Sequence, residues 1–571
     1  MDLITKHSTI AIKKELNTYK SNCFISVNKL FFKQRQITMK KLRYLHLFYY
    51  FKIQLLFFAS VNCFAQSIPP QELHFIKDYQ IRNFYNSKVI LSQLDFSKNI
   101  LDDPLYKVNH QTLPGCDFEL QDGLLNISNN TKTIQQSHIN LGKIFNYAAI
   151  DMDIEAQNNK SSFATASLSI FKDNRNRLTV SQNQIDPESK QIVFEVFKEG
   201  EPVLKEILFD KKLKSPNTLR VHLTGKFVNI LLIKNNDWTV LGSFDVSKYF
   251  ELRDKKVLES FELFFGSTLA PRERIAISKG EQYLTTGTAQ ADPKILHYED
   301  GAPITKDNKI WVAMTTRGYG TQLYQGIYSY DLESKKWEIS GTLVFNKGDG
   351  LIRQWAASDV FYDRISETWK VFTVSHRDDH MLYSGEIKED LRFGLSEIPV
   401  TKVKYNSVNN EEDPSVIWDS VVGKWRMAIC KANNGYQTIL MEAEKWDGEW
   451  KEIEVYEPTS STGVLIQKIG GKRYVFIGRG ATPCPLEILS YPEMEKVGEL
   501  NLSEHPIGKN IWPAILPVAK ENGTAYYLLT FDRDAWTGQR TYGNIHWYYA
   551  KEFASNFWEY KFKQEDVSVI D

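Results

Sequence analysis

Apolar and polar positions alternate with a period of two along much of the chain from residue 86 onwards. Residues 149–154 and 166–170 place one apolar and one polar side chain in turn, as in strands with one buried face. Apolar runs at 218–225, 228–233 and 261–265 are bounded by turn residues, and 191–209 has the pattern of a hairpin. The pattern predicts an all-β fold, with an N-terminal β-sandwich over residues 86–285.

A second pattern recurs five times between residue 300 and the C-terminus. Each copy has a short apolar strand, a turn with Gly, Asn or Asp, and a second strand rich in aromatic residues. Aligned on these turns, the copies match Asp300, Ala357, Asp413, Thr462 and Trp512, which are 57, 56, 49 and 50 residues apart. A period near 50 is typical of radial blades, which bury their faces against one another. We therefore predict a five-bladed β-propeller over residues 286–571, with the matched positions lining its channel.

The first 65 residues have the pattern of an export signal. Basic residues at 40–43 precede an apolar run at 53–59, and Ala65 offers a cleavage site. We expect translation to start at Met39, residues 1–38 to be an extension, and residues 66–85 to be a connector. Lys52 interrupts the apolar run and makes it too short for a helix that spans a membrane, so we expect no membrane span after the signal is cleaved. The alternative is a membrane anchor that is never cleaved. The predicted location is the periplasm or the cell exterior.

Composition narrows the classes of function. The chain is 42% hydrophobic and 13% aromatic, as expected of folded domains. Beyond the leader, 59 Lys and Arg face 68 Asp and Glu, a formal net charge of −9, which argues against nucleic-acid binding. Cys116, Cys430 and Cys484 are too widely spaced for a zinc site. We expect no cofactor and no catalytic metal, with a structural calcium ion left open.

Matched acidic positions in a ring of blades point to glycosidic cleavage. That reaction uses two carboxyl groups on opposite sides of the scissile bond, and a further carboxylate can raise the pKa of the acid. Asp300 and Asp413 occupy matched positions in the first and third copies. Asp359 lies two residues beyond Ala357 and points the same way on a strand. The alternative for each aspartate is a structural role in a turn.

These motifs resemble the five-bladed propeller glycosidases of glycoside hydrolase families 43, 32 and 117. The resemblance rests on Glu299-Asp300 before a strand, Trp-Ala-Ala-Ser-Asp-Val at 355–360 and Glu-Asp-Pro-Ser-Val-Ile at 412–417, and covers about half the chain. It implies a general base at Asp300 and a pKa-modulating, substrate-orienting carboxylate at Asp413.

The chain departs from family 43 in the fourth blade. Where that family has its acid in a Glu-Gly-Pro motif, this sequence has Ser461-Thr462-Gly463. A histidine held near neutral pKa by carboxylates can donate a proton instead, and the resemblance to family 117 permits such an acid. Glu457, His380 and His546 are further candidates for the acid. His376, which is followed by Asp378 and Asp379, is our candidate, with a solvated loop as the alternative. Candidates for substrate binding are Trp355, Arg377, Trp512, Arg533 and His546.

The sandwich segment 218–244 resembles concanavalin- or laminin-G-like domains, which either bind carbohydrate or support a neighbouring domain. Taken together, the sequence predicts an exported glycoside hydrolase that cleaves a poly- or oligosaccharide with inversion. Two alternatives remain open. One is a carbohydrate-binding propeller without catalysis, and the other is a polysaccharide lyase.

Overall fold

The structure is a computed structural model that describes part of the chain. The described residues are 69–82, 87–94, 108–110, 115–158, 164–186, 188–235, 237–317, 323–376, 378–520, 523–533 and 543–551. The predicted export signal (1–65) and Arg377 lie outside these ranges. Within them, no helix combines the length and the apolar character needed to cross a bilayer.

Two antiparallel sheets form the N-terminal sandwich. The seven-stranded sheet has the order Glu201–Lys212, Ser189–Lys198, Asn176–Gln184, Ala164–Asp173, Glu262–Leu269, Gln135–Lys143 and Val108–His110. The eight-stranded sheet has the order Asp237–Asp245, Phe227–Lys234, Asn217–Thr224, Ala149–Asn158, Arg274–Thr285, Leu124–Ser128 and Asp117–Gln121, and Lys88–Gln93 pairs with Arg274–Thr285. A short helix, Lys255–Glu259, is capped by Asp254, whose carboxylate accepts hydrogen bonds from the backbone N–H groups of Lys256 and Val257.

The period-two pattern decides which side chains fill the sandwich core. Along Asn217–Thr224, the side chains of Leu219, Val221 and Leu223 enter the core between the sheets. The alternate positions face away from this core. One of them is Arg220, whose buried guanidinium donates hydrogen bonds of 2.7 and 2.8 Å to the Asp151 carboxylate. One strand therefore supplies both a hydrophobic face and a buried polar face.

Five four-stranded blades make up the propeller. Blade 1 is Ala289–Ile295, Lys309–Arg317, Leu323–Asp331 and Trp337–Asn346, and blade 2 is Ala356–Asp363, Thr368–Val374, Leu382–Ile387 and Gly394–Lys402. Blade 3 is Glu411–Asp419, Lys424–Ala432, Tyr436–Ala443 and Lys451–Tyr456, and blade 4 is Ser461–Ile469, Lys472–Arg479, Leu486–Ser490 and Lys496–Glu499. Blade 5 is Ala514–Lys520, Gly523–Phe531, Ile545–Lys551 and His74–Ile81. Short strands lie at His297–Tyr298, Thr305–Lys306, Ile352–Arg353 and Asn501–Leu502, and a 3-10 turn lies at Pro70–Glu72. The predicted all-β fold, a sandwich followed by a five-bladed propeller, is confirmed.

The N-terminal segment is more than the connector expected at 66–85. Its strand His74–Ile81 pairs antiparallel with Ile545–Lys551 and becomes the fourth strand of blade 5. The buried side chain of Phe75 joins the hydrophobic cluster between blades 4 and 5. A strand from one end of the chain thus completes the last blade, and its backbone hydrogen bonds help to close the ring. This pairing joins residues more than 460 positions apart, so local patterning could not reveal it.

Aromatic side chains on the second strands pack between blades, as their spacing predicts. Trp311, Trp369 and Trp425 are all buried, and each belongs to an interblade hydrophobic cluster. The sandwich contacts the propeller through its eight-stranded sheet. There the Tyr147 hydroxyl donates to the Ile352 carbonyl at 3.1 Å, and His222 packs edge-on against Tyr324.

Candidate active site

The first strands of blades 1 to 4 share a two-residue bulge. The strand register skips Asp292-Pro293, Ala357-Ser358, Asp413-Pro414 and Gly463-Val464. The first residue of each pair has a left-handed backbone, with φ of 53° at Asp292, 56° at Ala357, 64° at Asp413 and 64° at Gly463. Aspartate and glycine tolerate this conformation better than most residues. The repeated bulge identifies the equivalent positions of the ring, and two of them carry carboxyl groups.

The bulges correct the sequence alignment of blade 1. The position equivalent to Asp413 is Asp292, and Asp300 lies beyond the first strand, in the connection to the second. That connection spans residues 296–308 in blade 1 but only 420–423 in blade 3, so alignment on the turns chose the wrong aspartate. The Asp300 carboxylate accepts a 2.8 Å hydrogen bond from Arg364, in the corresponding turn of blade 2. Asp300 therefore lies at the end of the propeller opposite to Asp413.

Asp413 is buried at the junction of blades 3 and 4. Its Oδ2 atom accepts hydrogen bonds from the Thr462 hydroxyl at 2.9 Å and from the Gly463 N–H at 2.7 Å. Burial and the negative charges of Glu412 and Asp292 outweigh these bonds and raise the pKa of Asp413 to about 8. The Asp413 carboxyl is therefore mostly protonated at neutral pH.

Asp292 has a different electrostatic environment. Burial, with the charge of Glu412, raises the pKa of Asp292 overall, although a hydrogen bond from Thr315 and the charges of Arg317 and Arg533 oppose that rise. Arg533 lies between the second and third strands of blade 5, where its backbone N–H donates to the Ile507 carbonyl. Two guanidinium groups thus favour the ionised form of Asp292. The charges that act on Asp413 are those of the carboxylates of Glu412 and Asp292, which favour its protonated form.

A cluster of histidine, glutamate and tyrosine borders Asp413. His380 Nε2 donates to the Glu412 carboxylate at 2.9 Å, and the Tyr436 hydroxyl donates to the same oxygen at 3.2 Å. The exposed His376 ring stacks on His380 with centroids 4.9 Å apart. Burial raises the pKa of Glu412, but the hydrogen bond from His380 and the charge of His376 lower it overall. The cluster pairs an ionised carboxylate with two imidazoles, one of them open to solvent.

Below the two aspartates, side chains fill the channel. Lys294 of blade 1 reaches across the ring and donates to the Val464 carbonyl of blade 4. Asp359 of blade 2 accepts from the Val416 N–H at 2.6 Å and lies 3.1 Å from His297 Nε2. A cavity lined by Lys294, His297 and Asp359 has room for about 20 Å³, close to one water molecule. A sugar ring therefore has no space at the level of Lys294, His297 and Asp359. Asp359 is a packing residue beneath the two aspartates of the bulges.

The two predicted tryptophans are packing residues in this conformation. Trp355 is 1% exposed and stacks on Phe345 with centroids 5.4 Å apart, while its Nε1 donates to Asp378 at 3.1 Å. It therefore cannot offer a ring face to a sugar. Trp512 is 3% exposed and lies against Gly463, where an added β-carbon would come within 2.3 Å of the indole. Its indole fills the space beside the blade-4 bulge.

His546 belongs to blade 5, apart from the cluster around Glu412. Its Nε2 atom lies 2.9 Å from the Asp532 carboxylate, and both side chains are buried. Asp532 also accepts hydrogen bonds from the Ile507 N–H and from Asn544. This pair anchors Asp532, the residue before Arg533, and His546 does not line the site.

The structure thus brings together Asp413, His376 and Arg533 of the predicted residues. Five further residues of the site were not predicted from the sequence: Asp292, Lys294, Glu412, Tyr436 and Arg317. One signal was available, because Asp292-Pro293 repeats the Asp-Pro dipeptide of Asp413-Pro414. Within the described ranges, no group of three or more His, Cys, Asp and Glu side chains could hold a metal ion.

Comparisons with known proteins find likenesses in fold only. No family model matches the chain, and no curated protein matches it significantly. A family-43 enzyme from Xanthomonas citri, solved with xylose, is 12% identical, with a TM-score of 0.34 over 47% of this chain and 88% of that chain. An exo-beta-1,3-galactanase from Clostridium thermocellum is 12% identical, with a TM-score of 0.34 over 46% of this chain and 60% of that chain. A legume lectin-like domain from Entamoeba histolytica is 10% identical, with a TM-score of 0.25 over 31% of this chain and 89% of that chain. We carry over no residue role from these partial likenesses.

Proposed function

We propose that this protein is an exported glycoside hydrolase that cleaves a poly- or oligosaccharide with inversion at the mouth of the propeller channel. The observation that carries the proposal is the pair of buried aspartates at matched bulges of blades 1 and 3. Their surroundings differ, since arginines adjoin Asp292 while carboxylates raise the pKa of Asp413. Titratable groups whose environments separate their pKa values are the usual basis of acid–base catalysis.

In this proposal, Asp292 is the general base. Its ionised carboxylate takes a proton from a water molecule, whose oxygen attacks the anomeric carbon as the glycosidic bond breaks. Arg317 and Arg533 favour the ionised form of Asp292, and the protonated Asp413 can donate a hydrogen bond to a sugar hydroxyl. Because Lys294 blocks the channel below, the substrate enters from the end where the bulges lie.

We assign the proton donor to His376. The imidazolium gives its proton to the glycosidic oxygen as the leaving group departs, and His376 stacks on His380, which is bonded to the Glu412 carboxylate. His376 is exposed, whereas His380 is held by Glu412. This assignment supplies an acid from blade 2, since the bulge of blade 4 consists of Gly463 and Val464.

The alternative is a propeller that binds carbohydrate without cleaving it. The observation that favours it is the blade-4 bulge, where the Trp512 indole packs on Gly463 and neither bulge residue carries a carboxyl group. A site with bases but no proton donor would retain affinity for sugars and lose turnover. The two proposals therefore differ in whether a reducing end is released.

Asp292→Asn in the exported chain tests the hydrolase. We expect hydrolysis of neutral oligosaccharides and aryl glycosides to fall by about 10²–10⁴-fold, the usual contribution of a general base. Asp300→Asn is the matched control and should keep wild-type turnover. Equal activity of the Asp292→Asn variant would refute the assignment of the base. Binding without released reducing ends would favour the alternative, and an unsaturated uronate absorbance from a uronate-containing polysaccharide would indicate a lyase.

A second measurement tests the acid and the stereochemistry. His376→Ala should slow hydrolysis of oligosaccharides far more than that of aryl glycosides with good leaving groups, which need little protonation. Proton NMR of the first product should show the inverted anomer. Equal losses on both substrate types would exclude His376 as the proton donor.

A further inference from the structure

The seven-stranded sheet of the sandwich has an unusual outer face. Its inner face is apolar, with Leu168, Ile170 and Val180 in the core. The alternate positions of the same strands point away from the core and carry short polar side chains, among them Ser167, Ser169, Thr179, Ser181 and Asn183. A solvent-facing sheet more commonly carries long charged side chains, which cover the strands. Here the short side chains leave the sheet surface open.

The open surface forms a depression of about 250 Å³. This volume approaches the lower end of the range for small-molecule pockets, about 300–1,000 Å³. The strands Gln135–Lys143, Ala164–Asp173, Asn176–Gln184, Ser189–Lys198 and Glu262–Leu269 all contribute to its lining. Every lining side chain is buried or half-buried, although all of them face away from the core. The depression is therefore a concave site built on rigid strands.

Aromatic and charged groups stand among the hydroxyls. The Arg177 guanidinium lies 3.7 Å from the centroid of the Phe197 ring, and Glu195 lines the same depression. Phe171 adds a second ring to the lining. The charges of Arg177 and Glu195 oppose each other, so the depression has no strong preference for an anion or a cation. Ring faces beside hydroxyl and amide groups suit the apolar faces and hydroxyl groups of a neutral sugar.

His138 provides an unpaired polar group at this site. Its side chain lines the depression, the residue is 5% exposed, and its Nδ1 atom has no hydrogen-bond partner among the residues that the structure describes. The ring lies over Gly266, where a β-carbon would come within 2.2 Å of it. Burial and the charge of Arg177 lower the pKa of His138 to about 4, so the imidazole is neutral near pH 7 and can both donate and accept. Buried polar groups are normally paired, and because Nδ1 has almost no accessible surface, a ligand hydroxyl would reach it only if the ring turns.

The depression lies on the side of the sandwich away from the propeller. His222 of the eight-stranded sheet, and Tyr147 in the turn before its strand Ala149–Asn158, contact the propeller at Tyr324 and Ile352. The outer face of the seven-stranded sheet is on the other side of the shared core. A ligand bound there cannot touch the aspartates at the bulges of blades 1 and 3, so this site is separate from the candidate active site.

We propose that this depression is a second carbohydrate site, which binds a neutral oligosaccharide segment through the hydroxyl groups of the sheet, His138, Arg177 and the aromatic rings. Binding there needs no catalysis and is independent of the proposed hydrolysis. If the propeller cleaves a polysaccharide, a segment of the same polymer held on the sandwich raises the local substrate concentration.

Isothermal titration calorimetry tests this site on the exported chain in an Asp292→Asn background, which keeps the ligands intact. The probes are hexasaccharides of β-1,4-linked glucose, xylose and galactose, with hexagalacturonate as an anionic comparison. Two variants change the depression, since Arg177→Ala removes a donor and Thr179→Tyr fills the space. Gln191→Ala, on the same sheet face but outside the lining, is the matched control.

We expect at least one neutral hexasaccharide to bind, with affinity at one site falling tenfold or more in both depression variants and unchanged in Gln191→Ala. Introduced without the Asp292→Asn change, the depression variants should leave the turnover of short aryl glycosides unaltered. Equal binding by parent and depression variants would overturn the proposal. So would preferred binding of hexagalacturonate, or the lack of any neutral hexasaccharide binding tighter than about 1 mM. A chain that binds at this site but hydrolyses nothing would contradict the proposed function alone.

Discussion

Replacing Asp413 with asparagine should stabilise the protein, and more so as the pH rises. An asparagine amide has nearly the shape of a protonated carboxyl group and tolerates the φ of 64° at this position. Its carbonyl oxygen can still accept from the Thr462 hydroxyl and the Gly463 N–H, as Oδ2 does now. The substitution therefore removes the ionisable group and keeps its hydrogen bonds.

The magnitude follows from the raised pKa of Asp413. Its pKa is about 8 in the folded protein, against an ordinary value of 3.8. The stabilisation from the raised pKa is fully present below pH 3.8 and is lost as the pH rises towards 8, because the unfolded chain ionises first. Each pH unit in this window costs the wild-type protein about 1.4 kcal/mol of unfolding free energy. Asp413→Asn escapes this cost, so its advantage should grow by about 3 kcal/mol between pH 5 and pH 7.

Urea unfolding of the wild type and Asp413→Asn at about pH 5 and pH 7 measures this difference. Asp307→Asn is the matched control, because Asp307 is an exposed propeller residue with a φ of 51° that asparagine also tolerates. Its effect should not change between the two pH values. If the advantage of Asp413→Asn is equally independent of pH, the Asp413 carboxyl is ionised in the folded protein, and the assignment of a neutral carboxyl is refuted.

Three other substitutions test the packing at the blade-4 bulge, inside the sandwich and between sandwich and propeller. Gly463→Ala should lower the free energy of unfolding, measured in urea, by at least about 2 kcal/mol, because a β-carbon would meet the Trp512 indole at 2.3 Å. Gly471→Ala is the control and should cost clearly less, because no atom lies within 4 Å of its β-carbon position. Arg220→Met should cost about 3–5 kcal/mol, because it leaves the buried Asp151 carboxylate without its guanidinium, and a loss below about 1 kcal/mol would contradict a buried pair. Tyr147→Phe removes one buried hydrogen bond between sandwich and propeller and should lower the free energy of unfolding by about 1 kcal/mol, with no change in activity.

Local patterning predicted the all-β architecture. Period-two alternation identified the sandwich strands, and the recurrence near 50 residues identified the blades. The aromatic residues that recur on the second strands, among them Trp311, Trp369 and Trp425, are buried between blades. These features depend on which face of each strand is apolar, and that information lies within a few consecutive residues.

The composition of the site depended on contacts that no local pattern contains. The bulges, not the turns, define the equivalent positions of the blades, and they replace Asp300 by Asp292. Lys294 meets Val464 across the ring, and Glu412 meets His380 of the neighbouring blade. Each pair is distant in sequence or belongs to a different blade, so only the closed ring brings its members together.

The sequence by itself determined that this chain builds a sandwich and a ring of five blades, because alternation and repetition dictate which surfaces must be buried. Only the tertiary structure decided which carboxyl groups meet, how far their pKa values move and how the last blade is completed by His74–Ile81. The physical reason is that burial and charge–charge interactions depend on distances in space, which ring closure sets.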